Sequence, residues 1–331
     1  MSGSVRLRFD ALNAALKAAG EETRLRVLAL LAEAELTVSD LTDILRQSQP
    51  RISRHLKLLA EAGLIERFRE GTWAFFRLAE HGGGADLARA LLDRLDPADQ
   101  TIARDRARLA SVRAARAAAA QAYFRAHAAE WDRIRKLHVA DDAVEDAIRS
   151  ALGDKPFRSL LDLGTGTGRM LELFGAGIER GLGLDLSLDM LLLARDRLER
   201  AGLKHCSVRQ GDIYDLPLAN DSFDVVILHQ VLHFLDDGAR AIHEAARVLR
   251  PGGRLLVVDF APHEQEFLRE QFAHRRLGFA PETVTHWMTA SGLEPLLHKS
   301  LGPGPEGKIA VSLWLARDAR ALMASTKREV A

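Results

Sequence analysis

The chain has 331 residues, 47% hydrophobic and 28% charged, with 46 basic residues matched by 46 acidic ones. That length suggests about two domains with sizeable cores, and the composition is that of a soluble globular protein, not a disordered one. A single cysteine, Cys206, excludes a disulfide framework and a cysteine-built zinc site and suits a reducing cytoplasm; without an apolar signal region or any eighteen-residue apolar run, secretion and membrane insertion are not expected.

In chain order, Phe9 to Ala19 reads as an amphipathic helix with Phe9, Leu12 and Leu16 at helical spacing, stopped by Gly20. Glu22 to Ala32 is a second helix carrying Leu25, Leu28 and Leu31, and Val38 to Leu45 a third. After the break Arg46-Gln47-Ser48-Gln49, a helix begins at Pro50 and stops at Gly63. Pro50 suits a first helical turn and Gly63 the position just past the last. Two short helices across a tight polar turn make a helix-turn-helix. Leu64 to Arg69 and Thr72 to Arg77 are β-rich runs joined at Glu70-Gly71, which makes a wing.

Local charge says more than the overall balance. Between Arg46 and Arg77 seven basic residues face three acidic ones, the electrostatic footprint of a duplex binder. The fourth helix is expected to project Gln49, Arg51, Ser53, Arg54 and His55 outward while Ile52, Leu56 and Leu59 pack inward; Lys57, Arg67 and Arg69 add positive charge beside them. These are side chains able to read base edges and phosphates. The run Ser48-Gln49-Pro50-Arg51-Ile52-Ser53-Arg54-His55-Leu56-Lys57-Leu58-Leu59, with Glu22-Thr23-Arg24-Leu25-Arg26-Val27-Leu28 and the wing, resembles the winged-helix repressors of the ArsR/SmtB family over about Leu12 to Leu78. The resemblance implies double-stranded DNA as partner and a homodimer, with a winged helix used only for protein contacts as the alternative. Metal-sensing members carry cysteines in a segment shaped like Glu35 to Leu41. Here Thr37 and Ser39 stand there, and hydroxyls do not hold a soft metal, so no metal site is expected.

From Pro97 to Ala129 alanine and arginine dominate, which predicts a long helix over Arg104 to Ala129. Its arginines at 104, 106, 108, 113 and 116 suit a solvated face or a dimer seam better than DNA. Tyr123 and Trp131 precede the second domain, as lid residues or as core.

The strongest signal follows. Leu160-Leu161-Asp162-Leu163-Gly164-Thr165-Gly166-Thr167-Gly168 reads as a buried strand, Ser159 to Leu163, closing on an acid and a glycine turn before a helix from Arg169 to Phe174. The spacing is G-x-G-x-G, not the dinucleotide G-x-G-x-x-G, and Gly164 and Gly166 are expected to let backbone N–H groups approach a ligand. Gly181 to Asp185 ends in an acid where a ribose diol is held, and Ser207 to Gln210 runs into Gly211-Asp212-Ile213. Acids at three successive strand ends resemble a class I S-adenosylmethionine (SAM) methyltransferase. Phe223 to His229 is the fourth strand, Gly238 to Leu249 a helix and Arg254 to Asp259 the fifth strand. Arg247-Val248-Leu249-Arg250-Pro251-Gly252-Gly253 resembles ubiquinone/menaquinone-type small-molecule methyltransferases. Leu296 to Leu301 and Lys308 to Leu315 form the antiparallel edge hairpin expected of that fold.

The fold implied is multidomain: an all-α winged helix-turn-helix in residues 1–97, a helical linker, dimerisation and lid region in 98–132, and an α/β Rossmann-like class I methyltransferase with a seven-stranded sheet in 133–331. The resemblance implies SAM as cofactor, with S-adenosylhomocysteine (SAH) as product or effector. It would be held by Asp162, Gly164, Thr165, Gly166 and Gly168 of the loop, by Asp185, Leu186 and Met190, by Gly211, Asp212 and Ile213, and by His229. Transfer needs an in-line nucleophile about 3 Å from the methyl carbon, and carbon or oxygen nucleophiles need a base. His229 and His233 stand where the fourth strand opens onto the substrate side, as base or as structural histidines. One cysteine cannot serve an arsenite methyltransferase, and His229-Gln230-Val231-Leu232 does not match the Asn/Asp-Pro-Pro-aromatic motif of nucleic-acid amino methyltransferases. A small-molecule acceptor is the default. Three functions fit: a regulator fused to an active enzyme, a SAM- or SAH-sensing repressor, or an enzyme whose winged helix only mediates dimerisation.

Overall fold

The computed structural model describes residues 6–70, 73–79, 81–128, 141–153, 155–302 and 309–320. It divides into two compact units, Met1–Ala118 and Ala119–Ala331. In the first unit α1 (Phe9–Ala19), α2 (Glu22–Leu31), α3 (Val38–Leu45) and α4 (Gln49–Glu61) are followed by strands β2 (Ile65–Glu70) and β3 (Trp73–Leu78), α5 (Gly83–Leu92) and the long α6 (Gln100–His127), whose last residues pass the boundary at Ala118. A two-residue strand β1 (Leu36–Thr37) completes a three-stranded sheet in the order β1-β3-β2. Thr37 explains why α3 starts where it does. Its hydroxyl accepts from the Asp40 amide while the Asp40 carboxylate accepts from the Thr37 amide, a reciprocal cap.

Two sequence expectations change here. Ala15, Ala18 and Ala19 are the buried residues of α1, whereas Phe9, Leu12 and Leu16 face outward, Phe9 with 81% of its surface exposed. The arginines of α6 engage groups of this same chain rather than standing on a bare solvated face. Arg106 pairs with Glu33, Arg108 Nη1 donates to the Ile44 carbonyl (3.0 Å), Arg113 Nη2 to the Glu33 carbonyl (2.8 Å), and Arg116 pairs with Asp40. Arg104 and Arg106 hold exposed positions, Arg106 while paired. An alanine-rich helix has little apolar bulk to bury, so charged clasps to carboxylates and helix-end carbonyls hold it instead. The firmest is bidentate: Arg26 Nε and Nη2 donate to Asp105 at 2.6 and 2.8 Å, with Asp105 buried. Asp105→Ala leaves that guanidinium only the longer contact to the exposed Glu22 (3.8 Å), and should cost the first unit about 3 kcal/mol of stability. Chemical denaturation followed by tryptophan fluorescence at Trp73 measures it; a loss below about 1 kcal/mol would contradict the reading.

The second unit is a doubly wound sheet. Its strands β4 (Ser159–Leu163), β5 (Arg180–Asp185), β6 (Cys206–Gln210), β7 (Phe223–His229), β8 (Leu249–Phe260), β9 (Leu293–Leu301) and β10 (Val311–Asp318) lie in the order β6-β5-β4-β7-β8-β10-β9. The first five are parallel, and β10 runs antiparallel between β8 and β9. The expected edge hairpin is present, beginning three residues earlier at Leu293 and ending three later at Asp318. Strand alternation builds both layers. Leu160, Val225, Ile227, Leu256 and Val258 face one core with the helices Asp141–Leu152, Arg169–Phe174 and Leu188–Arg200. Leu161, Leu163, Val226, Leu228, Leu255 and Val257 face the other with Gly238–Arg247 and Pro281–Ala290. Asp224 pins two strands: its carboxylate accepts from Ser159 Oγ, Ser159 N and Arg158 N, all at 2.9 Å.

Candidate functional site

The sheet sends three acids to the carboxyl ends of neighbouring parallel strands, where open α/β sheets bind ligands. The loop after β4 is wound tightly, with Gly164, Gly166 and Gly168 all at positive φ (69°, 52° and 81°). A Cβ on Gly164 would stand 2.4 Å from Val231 Cγ2, so glycine there admits the chain after β7 against the loop. Asp162, buried beneath, accepts from Thr165 Oγ1 at 2.6 Å. Gly183 makes room for that threonine, since its Cβ would meet Thr165 Oγ1 at 2.6 Å.

Asp185 joins the loop to the next strand. One carboxylate oxygen accepts from Gly166 N (2.9 Å), the other from Ser187 N (2.8 Å). Burial raises its pKa above the ordinary carboxylate range despite these bonds. The glycines' own amides are engaged within the protein: Gly164 N donates to the Leu184 carbonyl (2.8 Å) and Gly166 N to Asp185. Arg169, which opens the following helix, is held by Glu145 (2.7 Å, twice) and Glu172 (2.6 Å).

Around this cradle the other expected residues take up different places. Met190 and Ile213 are buried, Leu186 is exposed, and Gly211 donates its N–H to the Asp185 carbonyl (3.1 Å). Asp212 is exposed, with Oδ1 accepting from Tyr214 N at 2.9 Å. His229 ends β7, half-buried. The acceptor-only groups of Asp185 and Asp212 fit a ligand that presents hydroxyls and an amine better than one that presents phosphate oxygens.

His233, 2% exposed, lies within the turn Leu232–Phe234, with Nδ1 2.7 Å from Asp259 Oδ1. Sequence reasoning missed Asp259. The signal was there, an acid near the carboxyl end of a fifth strand, but nothing in the sequence pairs it with a histidine 26 positions earlier. Trp131 lies outside the described residues; Tyr123 is half-buried, 6.2 Å from Phe272 between ring centres.

In the first unit α4 exposes Gln49, Arg51, Ser53, Arg54 and Lys57, and β2 exposes Arg67 and Arg69. Lys57 lies 3.8 Å from Glu61. His55 is the correction. Only 8% exposed, it points back onto the start of α2, with Nδ1 3.6 Å from Glu21 Oε2. Helical period explains it, since position 55 falls with Ile52, Leu56 and Leu59 on the inward side. Burial first, then Arg24, Arg51 and Arg54, hold its pKa below the ordinary histidine value against the pull of Glu21. A histidine kept neutral in the fold loses stability as pH falls, because the unfolded chain takes the proton first. Stability of this unit should therefore decline as pH drops below about 6.5, and His55→Gln should flatten that decline. Thermal melts from pH 8 to 5 test it; equal slopes would refute it.

Among the described residues no helix is long and apolar enough to cross a membrane, and no group of His, Cys, Asp and Glu could hold a metal ion. Residues 21–67 match the bacterial regulatory protein, arsR family, and residues 161–257 match a methyltransferase domain. The chain joins an ArsR-family regulatory domain to a methyltransferase domain. Its second domain is 31% identical over 115 residues to the uncharacterized methyltransferase YcgJ of Bacillus subtilis, covering 35% of this chain and 46% of that one. It is 34% identical over 113 residues to the ubiquinone/menaquinone biosynthesis C-methyltransferase UbiE of Vibrio vulnificus, covering 33% and 44%. The chain thus spans less than half the length of these relatives. A chain from the complex of the Haloferax volcanii Trm112 methyltransferase activator with a methyltransferase shares the fold, with a TM-score of 0.50 at 22% identity over 59% of this chain and 97% of that one.

Proposed function

We propose that this protein is a DNA-binding transcriptional regulator whose second domain binds SAM and methylates a small molecule. The observation that carries the reading is Asp185, a burial-raised carboxylate that ties the glycine loop to the end of β5. Asp185 would hold the ribose hydroxyls, Asp212 the adenine amine, with Leu186, Met190, Gly211 and Ile213 around the ring, and Asp162, Gly164, Thr165, Gly166, Gly168 and His229 around the methionine end. Bound SAM supplies an electrophilic methyl group; the chain's part is to bind it, orient it and keep water away. Calorimetric titration with SAM and with SAH tests the reading: micromolar binding of either is expected, and none at millimolar ligand would reject it.

On the first domain, Gln49, Arg51, Ser53, Arg54 and Lys57 with Arg67 and Arg69 would meet duplex DNA, without His55. The uncovered apolar stripe Phe9, Leu12 and Leu16 supports a homodimer. The absence of a membrane-crossing helix among the described residues supports a cytoplasmic location.

A sensing role has its own observation. The single helix α6 carries the arginines that clasp α2 and α3 and, past Ala118, Phe124, whose ring lies 4.8 Å from that of Phe234. Fluorescence anisotropy on DNA from the gene's own upstream region, with and without SAM or SAH, checks it. A tenfold shift in affinity, about 1.4 kcal/mol of coupling, is expected of a sensor; no shift makes the domains independent.

A further inference from the structure

At the carboxyl ends of β7 and β8 a set of rings gathers that the cofactor cradle leaves unused. The His233 ring centre lies 4.0 Å from Phe234, 4.8 Å from Phe260 and 4.2 Å from His274. Val231, two residues earlier, packs into the space left by the missing Cβ of Gly164, which places this turn against the glycine loop. One edge of the imidazole and the backbone that carries it are anchored. Asp259, fully buried, accepts from His233 Nδ1 (2.7 Å), His233 N (3.3 Å) and Phe260 N (2.7 Å), while the His233 carbonyl receives Arg275 N (2.7 Å) and Arg276 N (3.0 Å). With its proton on Nδ1 the ring keeps a lone pair on Nε2, for which the described residues show no hydrogen bond.

We propose that this ring cluster is the acceptor site, that His233 oriented by Asp259 is its base, and that the substrate class is an uncharged planar hydroxyaromatic or enolic compound. The proposal rests on the SAM reading above. Three observations carry the substrate class. The side chains gathered about His233 are aromatic rings, which suit a flat ligand. Two buried polar atoms, His263 Nε2 and Tyr123 Oη, have no hydrogen-bond partner, and unmet buried groups of this kind point to a ligand that meets them. Two neighbouring charges are paired, Arg269 with Glu266 (3.2 Å) and Arg275 with Asp236 (2.6 Å), and burial above all pushes His263 down to about 4, so it is neutral. Burial pushes the Tyr123 hydroxyl up to about 12, so it stays a donor.

The step balances without a further reactant. The substrate hydroxyl proton passes to His233 Nε2, and the freed oxygen pair bonds to the methyl carbon. The carbon–sulfur pair returns to sulfur, and His233 gives its proton to solvent once the ether and SAH leave. Asp259 is a positioning residue, acting through the imidazole.

The test uses the full chain with SAH, so no turnover occurs, and 7-hydroxycoumarin as probe, whose neutral and ionised forms differ in excitation spectrum. The wild-type complex should hold the probe as its anion and lower its ionisation midpoint by about one pH unit, a tenfold effect. His233→Gln should restore the midpoint while SAH affinity, the check on folding, is unchanged; Asp259→Asn should restore it in part. A variant-free measurement stands beside these, since nitrogen NMR of the wild type should find His233 protonated on Nδ1 alone. SAH binding with the probe excluded or held neutral, or an Nε2-protonated His233, overturns the proposal and leaves the cofactor reading standing. Failure of the wild type to bind SAH overturns both.

Discussion

Replacing Asp185 with alanine is expected to lower SAM and SAH affinity by about 100-fold to 10,000-fold while moving the melting temperature little. Two ribose hydroxyls donating to one carboxylate are worth about 1.5–3 kcal/mol each, which sets that range. The small effect on folding follows from the sign of the pKa shift. A carboxyl raised in the folded state is destabilising in its charged form, and that cost grows as pH rises through the ordinary carboxylate range. Removing the charge therefore offsets the loss of the bonds to Gly166 N and Ser187 N. Calorimetry and thermal melts on the same preparation decide it. Affinity kept within tenfold would end the ribose assignment, and a collapse of the fold would recast Asp185 as a structural brace.

The second large effect is expected at the winged helix. Arg54→Ala should weaken binding to the operator by about 1–3 kcal/mol if the guanidinium reads a base, and adding Arg51→Ala should weaken it by about 5-fold to 150-fold more. Arg69→Ala on the wing should weaken all duplexes alike and reduce the salt slope by about one, the mark of a phosphate contact. His55→Gln, by contrast, should leave affinity unchanged near pH 8, because the ring faces Glu21 and not the exterior. Anisotropy on specific and scrambled duplexes at several salt concentrations separates these cases. Unchanged binding for both arginines at every salt would remove α4 as the reading helix.

The depressed carboxyl at Asp224 gives a pH signature to the second unit. Burial pushes this group up, but bonds from Ser159, Arg158 and Arg250 outweigh it and hold it below the ordinary range. Its contribution is full above that range and lost as pH falls through it, so the acid limb of unfolding should shift to higher pH in Asp224→Asn.

Much of this protein was legible before any coordinates. Strand, glycine turn and helix at Ser159–Phe174, the acids at Asp185 and Asp212, and the turn between α3 and α4 all express short-range rules: apolar runs of strand length, glycine where φ must be positive, a proline in a first turn. Because those signals live within a few residues, the element order and the doubly wound sheet follow from them. Tertiary structure decided what depends on residues far apart in the chain. It turned His55 inward and Phe9, Leu12 and Leu16 outward, since a helical pattern reports two faces but not which one meets a core. It bound the arginines of α6 to carboxylates and carbonyls dozens of positions away, and it gave the Gly164 and Gly166 amides internal acceptors. It also brought Asp259 to His233, a pairing set by the register of β7 beside β8, where long-range hydrogen bonds and not local pattern fix which side chains meet.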